Sequence, residues 1–205
     1  QVSDGTDTYI ETLDIAVNDI NDAPTALELS SNTIDENSVV GTQLATLSVT
    51  DQDISDTHTI TLKSGVVDNA AFEIADGSKL KTTASINFET KTEYSLVLEV
   101  DDGSGIIEFN KTISVSNIND DPTSIQLVVN SVPENTAVGS ILGTFATTDE
   151  DSADTHTYTL KDGEGDNAQF TIVGNNLRLR SPLDFETKET ADVVVESSDG
   201  TTVIE

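Results

Sequence analysis

The sequence has 205 residues, with 38 Asp and Glu against nine Lys and Arg, a formal charge of −29, and no Cys, Met or Trp. The length suits two β-sandwich domains of about 100 residues, and the missing cysteines exclude disulfides, thiol catalysis and thiolate metal sites. So acidic a chain repels phosphate backbones, which argues against nucleic acid as a partner, and it repels itself when compact unless cations neutralise part of the charge.

Self-comparison finds a repeat with an offset of 98 residues, which takes Pro24 to Pro122, Glu36-Asn37 to Glu134-Asn135 and Asp51-Gln-Asp53 to Asp149-Glu-Asp151. The same offset takes Asp56-Thr-His58 to Asp154-Thr-His156 and Phe72 to Phe170, and one residue less takes Phe88-Glu-Thr-Lys91 to Phe185-Glu-Thr-Lys188. In chain order, residues 1–20 are expected to be the closing strand of a preceding repeat plus a joint. Residues 21–119 form a complete repeat, and 120–205 a second repeat lacking its last strand. The chain is therefore expected to be an excised piece whose targeting signals lie elsewhere.

Alternation of apolar and polar residues marks strands at Leu13–Val17, Phe72–Ile74, Tyr94–Val100, Thr112–Val115 and Ile125–Val129. Asn-Asp, Asp-Gly, Gly-Ser and Pro-bearing turns separate these strands, and helical spacing is never sustained for ten residues. No apolar run approaches the roughly 18 residues of a membrane span, so this segment is not expected to insert into a membrane. The predicted fold class is all-β: tandem Greek-key sandwiches of about seven strands each.

Acidic and amide residues recur at fixed places. The joints read Asp19-Ile-Asn21-Asp22-Ala-Pro24 and Asn117-Ile-Asn119-Asp120-Asp121-Pro122. Inside the repeats lie the two Glu-Asn pairs, the two Asp-x-Asp pairs, Asn87-Phe-Glu89, Asp184-Phe-Glu186, and the Asp-Gly steps at Asp102 and Asp199. In an alternating strand, Asp-x-Asp puts both carboxylates on one side, where they repel unless a cation lies between them. Turn chemistry accounts for any single cluster, but it does not require the same acidic spacing at every equivalent place. Ca²⁺ takes six to eight oxygens at about 2.3–2.6 Å from carboxylates and carbonyls. It suits this donor set better than Mg²⁺, which keeps waters and a strict octahedron.

These motifs resemble the cadherin family over essentially the whole chain. Val132-Pro-Glu134-Asn135, Asp149-Glu-Asp151, Leu183-Asp-Phe-Glu186 and Ser197-Ser-Asp199-Gly200 follow the family's order. Bacterial cadherin-like repeats of large secreted surface adhesins look closest, because Asp-Ile-Asn-Asp-Ala-Pro-Thr and Asp-Thr-His are typical of them. The resemblance implies an extracellular location and Ca²⁺ shared at the second joint. Its ligands would be Glu36, Asn87 and Glu89 from the first repeat, Asn117, Asn119 and Asp120 from the joint, and Asp149, Asp151, Asp154 and Asp199 from the second repeat. It also implies half-sets at Asp19, Asn21, Asp22, Asp51, Asp53 and Asp102, and at Glu134, Asp184 and Glu186. Asn87 replaces an acid, Asn117 replaces an Asp, and neither joint has the Asn that follows Asn-Asp in the family. Two ions per joint and three are both compatible with the set.

The implied partners are neighbouring repeats of the same chain and, beyond them, identical domains on another molecule or a surface polysaccharide. A calcium-dependent carbohydrate- or protein-recognition module is the alternative function. His58 and His156 lie one repeat apart, cannot share a site, and are expected to pair with a nearby Asp. Catalysis by paired carboxylates would need a cleft, and only 4% of residues are aromatic, so no enzyme activity is expected. Phe72, Phe88, Phe170, Phe185 and Tyr94 are expected in cores. The sequon Asn110-Lys-Thr112 is read as accidental in a bacterial protein.

Overall fold

The computed structural model describes residues 2–129 and 131–205. It forms two compact units, one of Gln1–Ile86 with Glu93–Val115 and one of Asn87–Thr92 with Ser116–Glu205. In chain order the strands are β1 (Val2–Ser3), β2 (Thr8–Tyr9), β3 (Ala26–Leu29), β4 (Thr33–Asp35), β5 (Gln43–Thr50), β6 (Thr59–Leu62), β7 (Phe72–Ala75), β8 (Lys79–Thr82), β9 (Glu93–Asp101) and β10 (Ile106–Ser116). They continue with β11 (Ser124–Val128), β12 (Ile141–Thr148), β13 (Thr157–Leu160), β14 (Phe170–Val173), β15 (Asn176–Leu179), β16 (Val195–Ser198) and β17 (Val203–Ile204). The only helical segments among the described residues are short 3₁₀ turns before β7 and β14, so the fold is all-β as expected.

The first unit pairs a sheet of order β4-β10-β9-β6 with one of order β3-β5-β8-β7. Strand alternation explains the faces: Leu96, Leu98 and Val100 of β9 are buried, while the residues between them are not. Leu27, Leu80, Ile86 and Ile113 are fully enclosed with them. Phe72 packs edge-on against Tyr94 at 5.3 Å between ring centres.

The second unit repeats the plan with sheets β11-β12-β15-β14 and β13-β16-β17. Its buried hydrophobic set is smaller: Phe145, Phe170, Leu177 and Leu179 are enclosed, and Leu127, Tyr158 and Val195 pack on them half-buried. The three-stranded sheet ends in the two-residue β17, which covers less of that core than the nine-residue β9 and eleven-residue β10 do in the first unit.

Two expectations fail for physical reasons. Leu13–Val17 alternates well but is not a strand, and Leu13, Ile15 and Val17 are 79%, 87% and 91% exposed. A strand needs a ladder partner and an apolar face to cover, and among the described residues this segment has neither. Phe185 is 55% exposed. It lies in a turn closed by the Lys188 N–H on the Asp184 carbonyl, as Phe88 lies in the turn closed by Lys91 on Asn87, so strand alternation does not aim either ring.

Candidate metal centre

The Asp-Gly steps are the tightest element of the acidic loops. The hairpins β1–β2, β9–β10 and β16–β17 each turn on one Asp whose Oδ1 accepts two backbone N–H groups. The pairs are Thr6 and Asp7 on Asp4, Ser104 and Gly105 on Asp102, and Thr201 and Thr202 on Asp199. A following Gly with positive φ makes the turn possible, with Gly5 at 96°, Gly103 at 89° and Gly200 at 101°. These donors leave Oδ2 to face the joint. Asn21 Nδ2 donates to Asp102 Oδ2 at 3.1 Å in the first unit, and Asn119 Nδ2 to Asp199 Oδ2 at 3.0 Å in the second.

The Asp-x-Asp pairs lie beside these turns. They sit in loops just after β5 and β12, not within strands, so strand alternation is not what brings their carboxylates together. A local turn does so: the Asp151 N–H donates to Asp149 Oδ1 at 3.1 Å, and Asp53 to Asp51 Oδ1 at 3.0 Å. The second acid then collects the joint. Asp151 Oδ2 accepts the Asp120 N–H at 2.6 Å and its Oδ1 accepts Asn117 Nδ2 at 2.9 Å, while Asp53 Oδ2 accepts the Asp22 N–H. Asp151 is 5% exposed. Asp19, the counterpart of Asn117, is exposed and carries no amide to donate.

The first acid of each pair is held by a histidine. His156 Nε2 lies 2.9 Å from Asp149 Oδ2, and His58 Nε2 lies 2.8 Å from Asp51 Oδ2. The hydrogen bond from His58, then the Asp53 N–H, keeps the Asp51 carboxyl below the usual carboxylate range against the cost of desolvation. Backbone donors lower Asp102, led by Ser104. Asn119 leads in lowering Asp199. Both acids are thus ionised well below neutral pH, which a cation site requires.

In the second unit, Asp149, Asp154 and Asp199 each bring an oxygen within 4.8 Å of the others, as do Glu134, Asp184 and Glu186. Two oxygens on opposite sides of one Ca²⁺ stand about 4.6–5.2 Å apart. Each trio therefore has the spacing of a shared ion, and the hard, all-oxygen donor set fits Ca²⁺. Glu134 Oε2 also accepts the Phe185 N–H at 3.2 Å, and Asp184 Oδ2 accepts Thr187 Oγ1–H at 2.7 Å, which fixes both acids against one turn. Asn87 of this unit donates to Glu150 Oε2 at 2.8 Å, a contact the spacing did not suggest, and Glu89 is exposed. In the first unit, Glu36 is 2% exposed, and Asn37, at φ 56°, donates its N–H to the Ile86 carbonyl at 3.0 Å.

Comparison with known proteins bears on the family and the fold. The Cadherin domain family matches residues 30–116. The chain is 30% identical over 200 residues to human "Protocadherin Fat 4" and 31% identical over 205 residues to rat "Cadherin-8", with 92% and 90% of the chain covered. It spans only 4% and 26% of those two proteins. The crystal structure of human protocadherin-24 EC1-2 superposes with a TM-score of 0.68 at 20% identity, covering 87% of each chain, and so shares the fold. Fold, motif order and these likenesses together support the cadherin domain family for this chain.

Proposed function

We propose that this chain is a calcium-binding structural repeat of a cell-surface adhesin, and that Ca²⁺ held by the acidic loops stiffens a tandem array used for cell–cell or cell–surface attachment. The observation that carries the reading is the Asp149, Asp154 and Asp199 trio, three carboxylates within 4.8 Å of one another in a chain of charge −29. Such proximity is unfavourable for free carboxylates and favourable around a divalent ion. Asp151, Asn119, Asp120 and Asn117 would complete the set from the same loops, and Glu134, Asp184 and Glu186 would serve a second ion. The repeats run 21–119 and 120–205 in this reading, with 1–20 closing a preceding one, and Glu36, Asn87 and Glu89 contribute to the joint after the first.

The cadherin likeness supports an extracellular, non-enzymatic role. The Asp-Ile-Asn-Asp-Ala-Pro-Thr and Asp-Thr-His motifs favour a bacterial surface adhesin within that class, although the relatives compared are animal proteins and lend that finer assignment no support. Without metal the carboxylates repel and the linker is free to swing. With metal, ligands drawn from successive repeats hold their angle.

Chelation tests this. Adding EGTA to the calcium-loaded chain is expected to lower the melting temperature and broaden the distribution of radii of gyration in solution scattering. Unchanged melting and unchanged scattering would overturn the proposal.

A further inference from the structure

We infer that His156 and His58 are positioning residues of the carboxylate loops: each donates Nε2–H to the leading acid of Asp-x-Asp and fixes that carboxylate in the orientation a divalent cation needs. The inference rests on the calcium reading above and goes beyond it, since it assigns a function to two side chains that contribute no ligand atom.

Four observations converge. The contact occurs twice, at 2.9 Å for His156 on Asp149 and 2.8 Å for His58 on Asp51. It is shielded in both units, with side-chain exposures of 12% and 4% for the first pair and 15% and 3% for the second. It acts on the oxygen left over by the backbone, because Oδ1 of each Asp already accepts the N–H of the residue two positions on. It also survives a change elsewhere in the loop, since the joint that serves one pair begins with Asp19 and the other with Asn117.

The consequence for a cation follows from donor counting. A carboxylate has about four lone-pair sites and no proton to give, so the imidazole must carry its hydrogen on Nε2. One backbone donor and one imidazole donor occupy two of those sites on opposite oxygens. They stop rotation of the group and leave the remaining lone pairs for metal. Asp149 is the acid so held within the trio with Asp154 and Asp199. Outer-shell donors of this kind typically govern metal affinity by about 10–100-fold.

The test uses calorimetric Ca²⁺ titration of the whole chain at pH 7.4, comparing wild type with His156→Phe, His156→Gln and Asp149→Ala. His156→Phe keeps a ring but removes the donor, and is expected to weaken one class of sites by about 10–100-fold. His156→Gln restores an N–H donor and is expected to recover most of that loss. If His156→Phe binds as wild type while Asp149→Ala loses the site, the positioning role is overturned and the calcium reading stands. If Asp149→Ala also binds as wild type, the calcium reading fails and this inference fails with it. Should the Phe variant not fold, nitrogen NMR of the wild-type imidazoles decides: an Nε2–H tautomer retained on adding Ca²⁺ supports the role, and an Nδ1–H tautomer overturns it.

Discussion

Asn167 and Val194 are bonded to each other twice, with the Asn167 amide donating to the Val194 carbonyl at 2.7 Å and Asn167 Oδ1 accepting the Val194 N–H at 3.1 Å. The same amide donates to the Lys161 carbonyl at 2.8 Å, so one buried side chain ties the end of β13 to the approach of β16. Asn69 repeats the arrangement in the first unit, with Lys63 at 2.9 Å and Val97 at 2.8 and 3.1 Å. Asn167→Ala strands the Val194 N–H in a closed site, at a cost of about 1–3 kcal/mol, while the Val194 and Lys161 carbonyls keep the N–H groups of Lys161 and Glu164. With the two lost carbonyl contacts added, the expected loss is about 2 kcal/mol, read as a lower urea midpoint for the second unit. Asn167→Asp is expected to be worse, because a carboxylate then faces two carbonyl oxygens.

That pair also marks where sequence stops being informative. The 98-residue offset carries Asn69 to Asn167, yet Asn is so common in turns that its recurrence reads as local turn chemistry; only burial distinguishes a tie from a turn. Strands such as β9 were legible because alternation reports which face is covered. Leu13–Val17 alternates equally well and is not a strand, because alternation is silent about whether a neighbour exists. The acidic loops were legible as sets through repetition. Their wiring was not, since which oxygen Asn119 or His156 meets depends on loops some 80 and seven residues away in sequence.

Asp151→Ala is expected to lower the calorimetric Ca²⁺ stoichiometry of the chain. Asp151 accepts from both Asn117 and Asp120, so its removal also takes two hydrogen bonds from these loops in the metal-free protein. Stoichiometry separates the two effects, since loosening alone changes affinity and leaves the number of ions intact. At a free Ca²⁺ of 100 times Kd, one lost ion removes about 2.7 kcal/mol of linkage stabilisation. The melting temperature of wild type in Ca²⁺ should therefore exceed that of the variant by more than it does in EGTA.

Acid should unfasten the ion pair of Asp166. Lys188 first, then the Asp192 N–H at 2.7 Å, hold the Asp166 carboxyl below the usual range, and Asp166 in turn raises Lys188. A depressed folded pKa contributes stability that is complete above the unfolded value of about 3.9 and is lost as pH falls through the folded one. A raised Lys contributes stability that is complete below about 10.4 and is lost as pH rises through its folded value. Both contributions are present at pH 7. Asp166→Asn is expected to flatten the fall in urea midpoint between about pH 5 and pH 3, and an unchanged slope would refute the assignment.

Gly143 gives the sharpest contrast between the two units. A Cβ there would lie 2.8 Å from the Val128 carbonyl oxygen and 2.9 Å from Leu127 Cδ1, both on β11, which pairs with β12 through Leu127 opposite Phe145. The carbonyl is backbone within a ladder and cannot step aside without breaking the pairing. At the equivalent position of the first unit stands Ala45, 1% exposed, whose methyl group the core accepts. Gly→Ala in a strand ordinarily gains about 0.5–1 kcal/mol through reduced chain entropy. Gly143→Ala is expected instead to lose about 1–3 kcal/mol from overpacking, whereas Ala45→Gly should lose about 1 kcal/mol from a small cavity and added entropy. Denaturant unfolding of the two variants checks both signs, and a stabilised Gly143→Ala would show that β11 yields where the close approach says it cannot.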